Sequence, residues 1–323
     1  EESGPRTLIS NITTSINNID FENIHVEMQT ANAPLSNLGV IGKVADINDV
    51  KLKDFTMSFG NRREFEYVGF AGRVSGNIKN FDAQNVEILM AKNGSRNDKY
   101  IGTFGYVDGG FVNCSFDDIR VICSENLNSY YIGGVAGYVS AASSNYLVSD
   151  ETTINAKNIE VTGFQTVGGL FGYGENKTSD SIEKAVNHIV ADNITVKGSR
   201  TVGGIVGAGS PILRDLKASH LNVMGDYVTG GITGYTYSFI RDVVFNDSTV
   251  KGKYMTGGVA GNAGHVNGIV MNNIDVTGGN MTGGFSGSTS YNKIRSASAS
   301  DITVTGIQMD YSKLEDYQVT QIN

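Results

Sequence analysis

Short stretches in which every second residue is apolar recur along this chain at intervals of about 30 residues. In each stretch an Asn or Asp is followed by an apolar residue, any residue and a second apolar residue. Another apolar or small residue lies two positions before the Asn or Asp. A spacing of two is the period of a β-strand, and no long stretch shows the 3.6-residue period of a helix. Examples are Asn23-Ile24-His25-Val26, Asn85-Val86-Glu87-Ile88, Asp118-Ile119-Arg120-Val121, Asn158-Ile159-Glu160-Val161, Asn193-Ile194-Thr195-Val196, Asn273-Ile274-Asp275-Val276 and Asp301-Ile302-Thr303-Val304.

A glycine motif runs in step with these stretches and occurs nine times. Its last glycines lie 30, 33, 32, 35, 35, 27, 27 and 26 residues apart, which is the spacing of a repeat protein. The early copies are Leu38-Gly39-Val40-Ile41-Gly42, Val68-Gly69-Phe70-Ala71-Gly72 and Ile101-Gly102-Thr103-Phe104-Gly105. The later copies have the form Gly-Gly-x-x-Gly and lie at 133–137, 168–172, 203–207, 230–234, 257–261 and 283–287.

The two motifs together predict an all-β fold, a right-handed parallel β-helix of about nine coils. Each repeat is expected to hold about three short strands: one before the Asn or Asp, one after it, and one with the glycines. A unit of this size buries its apolar side chains only by stacking on its neighbours, and crossovers between parallel strands are right-handed. Asn and Asp suit the bent backbone of a corner and can form ladders along the stack, while glycine allows close backbone approach.

Three segments are expected along the chain. Residues 1–20 are an N-terminal cap or connection, residues 21–306 form the β-helix repeats, and residues 307–323 are a C-terminal cap or connection. The longer repeats predict loops at Ala91–Lys99 and Tyr146–Asn155, and Leu314–Tyr317 suggests a short helical turn. The abrupt start at Glu1 suggests a processed or trimmed chain.

Charge and composition exclude several partners. The formal net charge is −8 with Lys and Arg scattered singly, so neither nucleic acid nor an anionic membrane surface is expected to bind. No run of 18 apolar residues occurs, so no membrane insertion is expected. The glycine motifs lack Lys-Ser/Thr and precede no predicted helix, and no cofactor or metal is expected. Cys114 and Cys123 are either two buried thiols or, in a secreted protein, a disulfide.

The motifs resemble the GLUG repeat of large bacterial surface proteins. Val167-Gly168-Gly169-Leu170-Phe171-Gly172 and Asn158-Ile159-Glu160-Val161-Thr162-Gly163 also resemble the N-terminal, non-catalytic region of the immunoglobulin-A-specific zinc metallopeptidases. The resemblance covers roughly residues 20–306 and implies a secreted or surface-attached bacterial protein. The metallopeptidase signature His-Glu-x-x-His is absent, since His25, His188, His220 and His265 are far apart, so the resemblance implies no active site in this chain.

Some β-helices are polysaccharide lyases or hydrolases, which need clustered carboxylates with a basic group nearby. The candidates here are Asp117, Asp118, Asp242 and Asp247, with Arg120, Arg241 and His265. Because Asp118 and Asp247 occupy the repeated Asn/Asp position, a structural role explains them, and no catalytic residue is predicted.

Tyrosine follows the last glycine of several repeats, at Tyr106, Tyr138, Tyr173 and Tyr235, with Ala208 between the last two. These positions stack in a β-helix. The tyrosines either form an outward platform for a sugar or a partner protein, or stack on one another for stability. They are the candidate binding residues.

We therefore expect a non-catalytic binding, adhesion or spacer module that is secreted or lies on the bacterial cell surface. Its partner would be a host glycoprotein, an immunoglobulin or a polysaccharide. Two alternatives remain: a carbohydrate-active β-helix enzyme, and a structural stalk without a ligand.

Overall fold

A computed structural model describes residues 6–28, 35–59, 65–90, 99–124, 130–140, 154–175, 186–210, 213–289 and 294–307. All regular structure in these ranges is β-strand. The first strands are β1 Arg6–Ile12, β2 Ile16–Met28, β3 Leu35–Val44, β4 Ile47–Phe59, β5 Phe65–Val68, β6 Ala71–Val74, β7 Ile78–Met90, β8 Lys99–Ile101, β9 Phe104–Val107, β10 Phe111–Val112, β11 Cys114–Cys123, β12 Tyr130–Gly133, β13 Ala136–Ser140, β14 Ile154–Thr162 and β15 Thr166–Gly168. The others are β16 Phe171–Glu175, β17 Val186–Lys197, β18 Thr201–Gly203, β19 Val206–Gly209, β20 Leu213–Met224, β21 Val228–Gly230, β22 Thr233–Thr236, β23 Phe239–Lys251, β24 Met255–Gly257, β25 Ala260–Ala263, β26 His265–Gly278, β27 Met281–Gly283, β28 Ser286–Thr289 and β29 Ile294–Gly306.

The strands form two parallel sheets that wind around one apolar core. The long-strand sheet stacks β2, β4, β7, β11, β14, β17, β20, β23, β26 and β29 in chain order, with the short β10 also on β7. The remaining strands form the glycine sheet, in which short strands such as β13 and β16 pair in register with the turns before and after. The predicted parallel β-helix is thus confirmed. About eight turns are present rather than nine, which matches the long strands that have a neighbour on both sides.

The long strands bend where the sequence places Asn or Asp. Asn23, Asn158 and Asn193 have φ values of 56°, 54° and 53°, in the left-handed region that short polar side chains tolerate best. Side-chain amides link successive turns at this position, as in the bond from Asn193 Nδ2 to Asn158 Oδ1 of 2.7 Å. The predicted corner ladder therefore exists. The two strands predicted on either side of it run as one bent strand.

A second ladder of left-handed residues lies five positions earlier in the long strands, and the sequence analysis missed it. Its members include Asp49 and Asn80, with φ values of 53° and 50°. Asn80 Nδ2 donates to Asp49 Oδ1 at 2.8 Å, so the same kind of side-chain bond joins these turns. In strands such as β4 and β7, two bends therefore wrap the strand around the core.

The glycines of the repeat are required by close backbone contacts. A Cβ on Gly203 would lie 1.9 Å from the Val206 carbonyl oxygen of its own turn, and one on Gly204 would lie 2.0 Å from the Gly231 carbonyl oxygen of the next. A Cβ on Gly207 would lie 2.6 Å from the Gly172 carbonyl oxygen of the preceding turn. Each glycine of the motif thus permits a different contact, which explains why all three recur.

The core is filled by columns of apolar side chains, and phenylalanines dominate its first half. Phe104 is fully buried, and its ring contacts the rings of Phe70, Phe81, Phe111 and Phe116 at centroid distances of 5.0–6.5 Å. Within one column Phe104 and Phe171 flank Ala136 in register, so large and small side chains alternate between turns. This alternation lets side chains of neighbouring turns interdigitate in the core.

Both cysteines are buried free thiols on β11. Nine residue steps separate them along a path of about 30 Å that bends once, at Asp118, which keeps the two thiols beyond the reach of a disulfide. Burial raises the pKa of Cys114 to about 12 and also raises that of Cys123. The disulfide alternative is therefore wrong, and the two residues serve as apolar core side chains.

Several sequence predictions concern other parts of the chain. Residues 91–98 and 146–153, in the two predicted loops, and residues 314–317, in the predicted helical turn, lie outside the described residues. Residues 6–12 form β1, which pairs in register with β3. The proposed domain boundaries and the right-handed winding stay predictions.

Candidate functional site

Three of the four candidate tyrosines form a continuous stack on the outer side of the glycine sheet. The rings of Tyr106 and Tyr138 lie 4.7 Å apart with an interplanar angle of 6°, and those of Tyr138 and Tyr173 lie 5.2 Å apart at 18°. All three are half-buried, while their strand neighbours point into the core. The side chains point outward and their ring faces cover one another, so the predicted stacking is present, and the platform for a sugar or a partner protein stays a prediction.

A second row of tyrosines lies beside the first. Tyr67, Tyr100 and Tyr131 stack at 5.3 and 5.4 Å, and each ring meets the first row edge-on, as Tyr100 meets Tyr138 at 5.3 Å. We call the six residues the tyrosine face: Tyr67, Tyr100, Tyr106, Tyr131, Tyr138 and Tyr173. This second row was not predicted. The sequence does contain the signal for it: a tyrosine stands two positions before the first glycine in three consecutive repeats.

The first row has different neighbours at its two ends. The register places Arg73 beside Tyr106, and its guanidinium carbon lies 5.0 Å from the ring centroid while Nη2 lies 2.7 Å from Asp108 Oδ2. Beyond Tyr173 the register places Ala208 and then Tyr235, the fourth candidate. Tyr235 therefore does not join the stack, and a side chain of one carbon interrupts the row.

Burial and neighbouring carboxylates keep the tyrosine hydroxyls protonated. Burial raises the pKa of Tyr138, and the hydrogen bond from its hydroxyl to Glu175 raises it further. Burial likewise raises the pKa of Tyr106 and of Tyr173, with Asp108 and Glu175 as the next causes. The tyrosine face consequently presents hydroxyl groups and ring edges in their neutral form.

The carboxylates considered for catalysis are not brought together as one group. Asp117 and Asp118 lie on β11, whereas Asp242 and Asp247 lie on β23, four strands further along the sheet. At about 4.8 Å per strand the two pairs are on the order of 20 Å apart. Asp247 accepts a hydrogen bond of 2.7 Å from Asn273 Nδ2, as its ladder position predicts.

The basic candidates are likewise engaged in structural contacts. Arg120 lies between Glu87 and Glu160 of the adjacent turns, with N–O distances of 2.5 and 3.3 Å. Arg241 and His265 both contact the ring of Phe239, at 4.7 Å in each case. These contacts fix the side chains along the stack rather than around a common point.

Asp117 and Asp118 instead border a shallow depression on the long-strand sheet, together with Asp54 and Lys53, which the sequence analysis did not single out. Its lining is Lys53, Asp54, Gln84, Asn85, Asp117, Asp118 and Asn158. Asp117 pairs with Lys157 at 3.0 Å, and Asp54 accepts a bond of 2.6 Å from Asn85 Nδ2. The depression follows the corner ladder and is polar throughout.

Within the described ranges the structure shows neither a metal-binding cluster nor a helix that could span a membrane. There, no group of three or more His, Cys, Asp or Glu side chains is placed to hold a metal ion. The four histidines lie on different strands, β2, β17, β20 and β26. The described residues include no helix long and apolar enough to cross a bilayer.

Comparisons with protein-family models, with curated proteins and with solved structures find no match to this chain. The resemblance to GLUG repeats therefore stays a prediction.

Proposed function

We propose that this chain is a non-catalytic binding module of a secreted or surface-attached bacterial protein, with the tyrosine face as its recognition surface. The main support for this proposal is the continuous outward stack of tyrosines in two interlocked rows. Tyrosine combines a large apolar contact area with a hydroxyl group, and rings that hold one another in place lose little further conformational freedom on binding.

The shape of the face limits its ligand. Because the rings cover each other's faces, a ligand meets ring edges and hydroxyl groups that repeat with each turn of the solenoid. Such a row suits an extended ligand that lies along the axis. The surfaces of solenoid proteins commonly bind ligands of this shape. A glycan chain of a host glycoprotein, a polysaccharide, or an extended segment of an immunoglobulin has this form.

The test is retention on immobilised immunoglobulin A, mucins and microbial or plant polysaccharides, with the eluates examined for cleavage products. We expect retention without cleavage, and at least a tenfold loss of affinity in Tyr138→Ala and Tyr173→Ala, because each removes an aromatic contact of about 1.4 kcal/mol or more. Tyr254→Ala is the matched control, since Tyr254 is also half-buried but lies among the later turns. Absence of retention on every surface would favour a structural stalk.

The depression at Asp54, Asp117 and Asp118 is the observation that favours a second candidate, a carbohydrate-active enzyme. Lys53 supplies the basic residue that such chemistry needs nearby. Release of new sugar ends from a polysaccharide, abolished by Asp118→Asn and unaffected by Asp247→Asn, would support it and contradict the non-catalytic proposal.

A further inference from the structure

The first tyrosine row already binds a cation at one end. The Arg73 guanidinium lies over the outer face of Tyr106 at 5.0 Å and is held by Asp108, the residue two positions after that tyrosine. A guanidinium on an aromatic face gains from the negative charge of the ring face, and it is weakly hydrated compared with an ammonium group. At this end of the row, therefore, a guanidinium group takes the place of the next stacked ring.

At the opposite end the same position holds Ala208. Tyr173, Ala208 and Tyr235 are in register on three successive strands, so the two rings are about 9.6 Å apart, twice the strand spacing. A planar group above Ala208 would lie about 4.8 Å from each ring, close to the ring separations of 4.7 and 5.2 Å within the stack. The gap is one ring or one guanidinium thick.

The side chains on both sides of this gap are aromatic. Tyr173 lies on one side, and the carboxylate of Glu175, two residues after it, accepts the hydrogen bond from Tyr138 in the preceding turn. On the other side Tyr237, which is 67% exposed, meets the Tyr235 ring edge-on at 4.6 Å. Three aromatic rings, those of Tyr173, Tyr235 and Tyr237, thus lie around a position whose own side chain is a single methyl group.

We propose that the Ala208 gap binds the guanidinium of an arginine side chain on a protein partner, sandwiched between Tyr173 and Tyr235. This inference rests on the proposed function for the choice of face and names the chemistry of the partner. The formal net charge of −8 attracts a basic segment toward the chain. The bound guanidinium would reproduce the Arg73 contact with a second ring added.

The experiment is a titration of the full chain with N-acetyl-arginine amide, followed by NMR at the Ala208 methyl group. The citrulline derivative is the matched ligand control, because it has the same shape without the charge. We expect the arginine derivative to bind about five- to thirtyfold more tightly than the citrulline derivative, because only the charged group gains two cation–π contacts. Equal affinity for the two would overturn the proposal.

The variant Ala208→Tyr should remove this binding, because it fills the gap with the residue found in the neighbouring turns. Val190→Tyr is its control: it adds a tyrosine to the same turn at an exposed position of the long-strand sheet, away from the gap. Loss of arginine binding in both variants or in neither would contradict the proposal. A sugar or tetramethylammonium that binds in place of the arginine derivative would also overturn it.

Failure of this inference and failure of the proposed function can be told apart. Arginine binding that is blocked by Ala208→Tyr supports the gap even when no macromolecule is retained. Retention of a macromolecule that depends on Tyr138 but is unchanged in Ala208→Tyr supports the face and overturns the gap.

Discussion

The turns before Gly207 and those after it build the same solenoid at two sizes. The glycine motifs are 30–35 residues apart in the wide turns and 26 or 27 apart in the narrow ones. The wide turns have phenylalanines inside and tyrosines outside. In the narrow turns the column of Ile101, Ile132, Val167 and Val202 continues as Thr229, Thr256 and Thr282.

The comparison shows which features define a turn and which are free to vary. Both regions keep the corner ladder, the glycine contacts and the register between long strands. The wide turns add residues between the strands and recruit aromatic side chains to both sides of the glycine sheet. The tyrosine face therefore lies in the wide turns, which carry the larger side chains.

The largest expected effect concerns the aromatic core of the wide turns. Phe104→Ala should lower the free energy of unfolding by about 3–5 kcal/mol, because it leaves a cavity among four other rings. Val206→Ala, in the same column three turns further along, should cost about 2 kcal/mol or less. Urea unfolding measures both. If the two substitutions lowered the free energy of unfolding equally, the aromatic rings would not account for any extra stability of the wide turns.

The threonine column offers a substitution that should stabilise the protein. Among the described residues, the buried hydroxyl groups of Thr229 and Thr256 have no hydrogen-bond partner. Thr229→Val removes an unsatisfied hydroxyl and should raise the free energy of unfolding by about 1–2 kcal/mol. Thr103→Val is the matched control in a wide turn, where the hydroxyl donates to the Gly134 carbonyl at 2.8 Å, and it should be destabilising. The two variants should shift thermal unfolding in opposite directions.

Alkaline pH should act mainly on the wide turns. The pKa values of Tyr67, Tyr106, Tyr138 and Tyr173 are raised by burial, so the folded state disfavours their ionisation. The raised pKa values therefore stabilise the folded state below about pH 10, which is the pKa of tyrosine in the unfolded chain. This stabilisation is lost as the pH rises above that value. Tyrosinate absorbance should therefore appear together with unfolding of the wide turns, followed by hydrogen exchange. Free titration of these tyrosines near pH 10 in the folded protein would contradict this expectation.

The smallest expected effect is a pH-dependent contact in the narrow turns. His220 occupies the corner ladder and bonds Asp192 at 2.7 Å, which raises the pKa of His220 and lowers that of Asp192. The histidine contribution is present below about pH 6.5 and is lost as the pH rises, while the aspartate contribution is lost at acid pH. His220→Asn should therefore lower the urea midpoint slightly near pH 5 and leave it unchanged near pH 8. A larger loss near pH 8 would contradict the charge pairing.

The sequence predicted the architecture because the same local features recur from repeat to repeat. Alternation of apolar residues indicated strands, the interval between glycines indicated stacked turns, and Asn or Asp marked the bends. The second ladder was not predicted because its position holds His188, Gly268 and Ser296 besides Asn and Asp, so its residue pattern is less regular than that of the corner ladder. The fusion of two predicted strands into one escaped because a bend at a left-handed residue leaves the hydrogen bonds on both sides in register.

What the chain determines by itself, then, is the repeat and its register: side chains at equivalent positions must stack once the turns stack. That alone placed Tyr106, Tyr138 and Tyr173 in one row. Only the tertiary structure decided how the rings meet, that Tyr67, Tyr100 and Tyr131 cross them edge-on, and that Arg73 covers one end while Ala208 leaves the other open. Those features depend on side-chain direction and distance between neighbouring turns, which a periodic pattern does not contain.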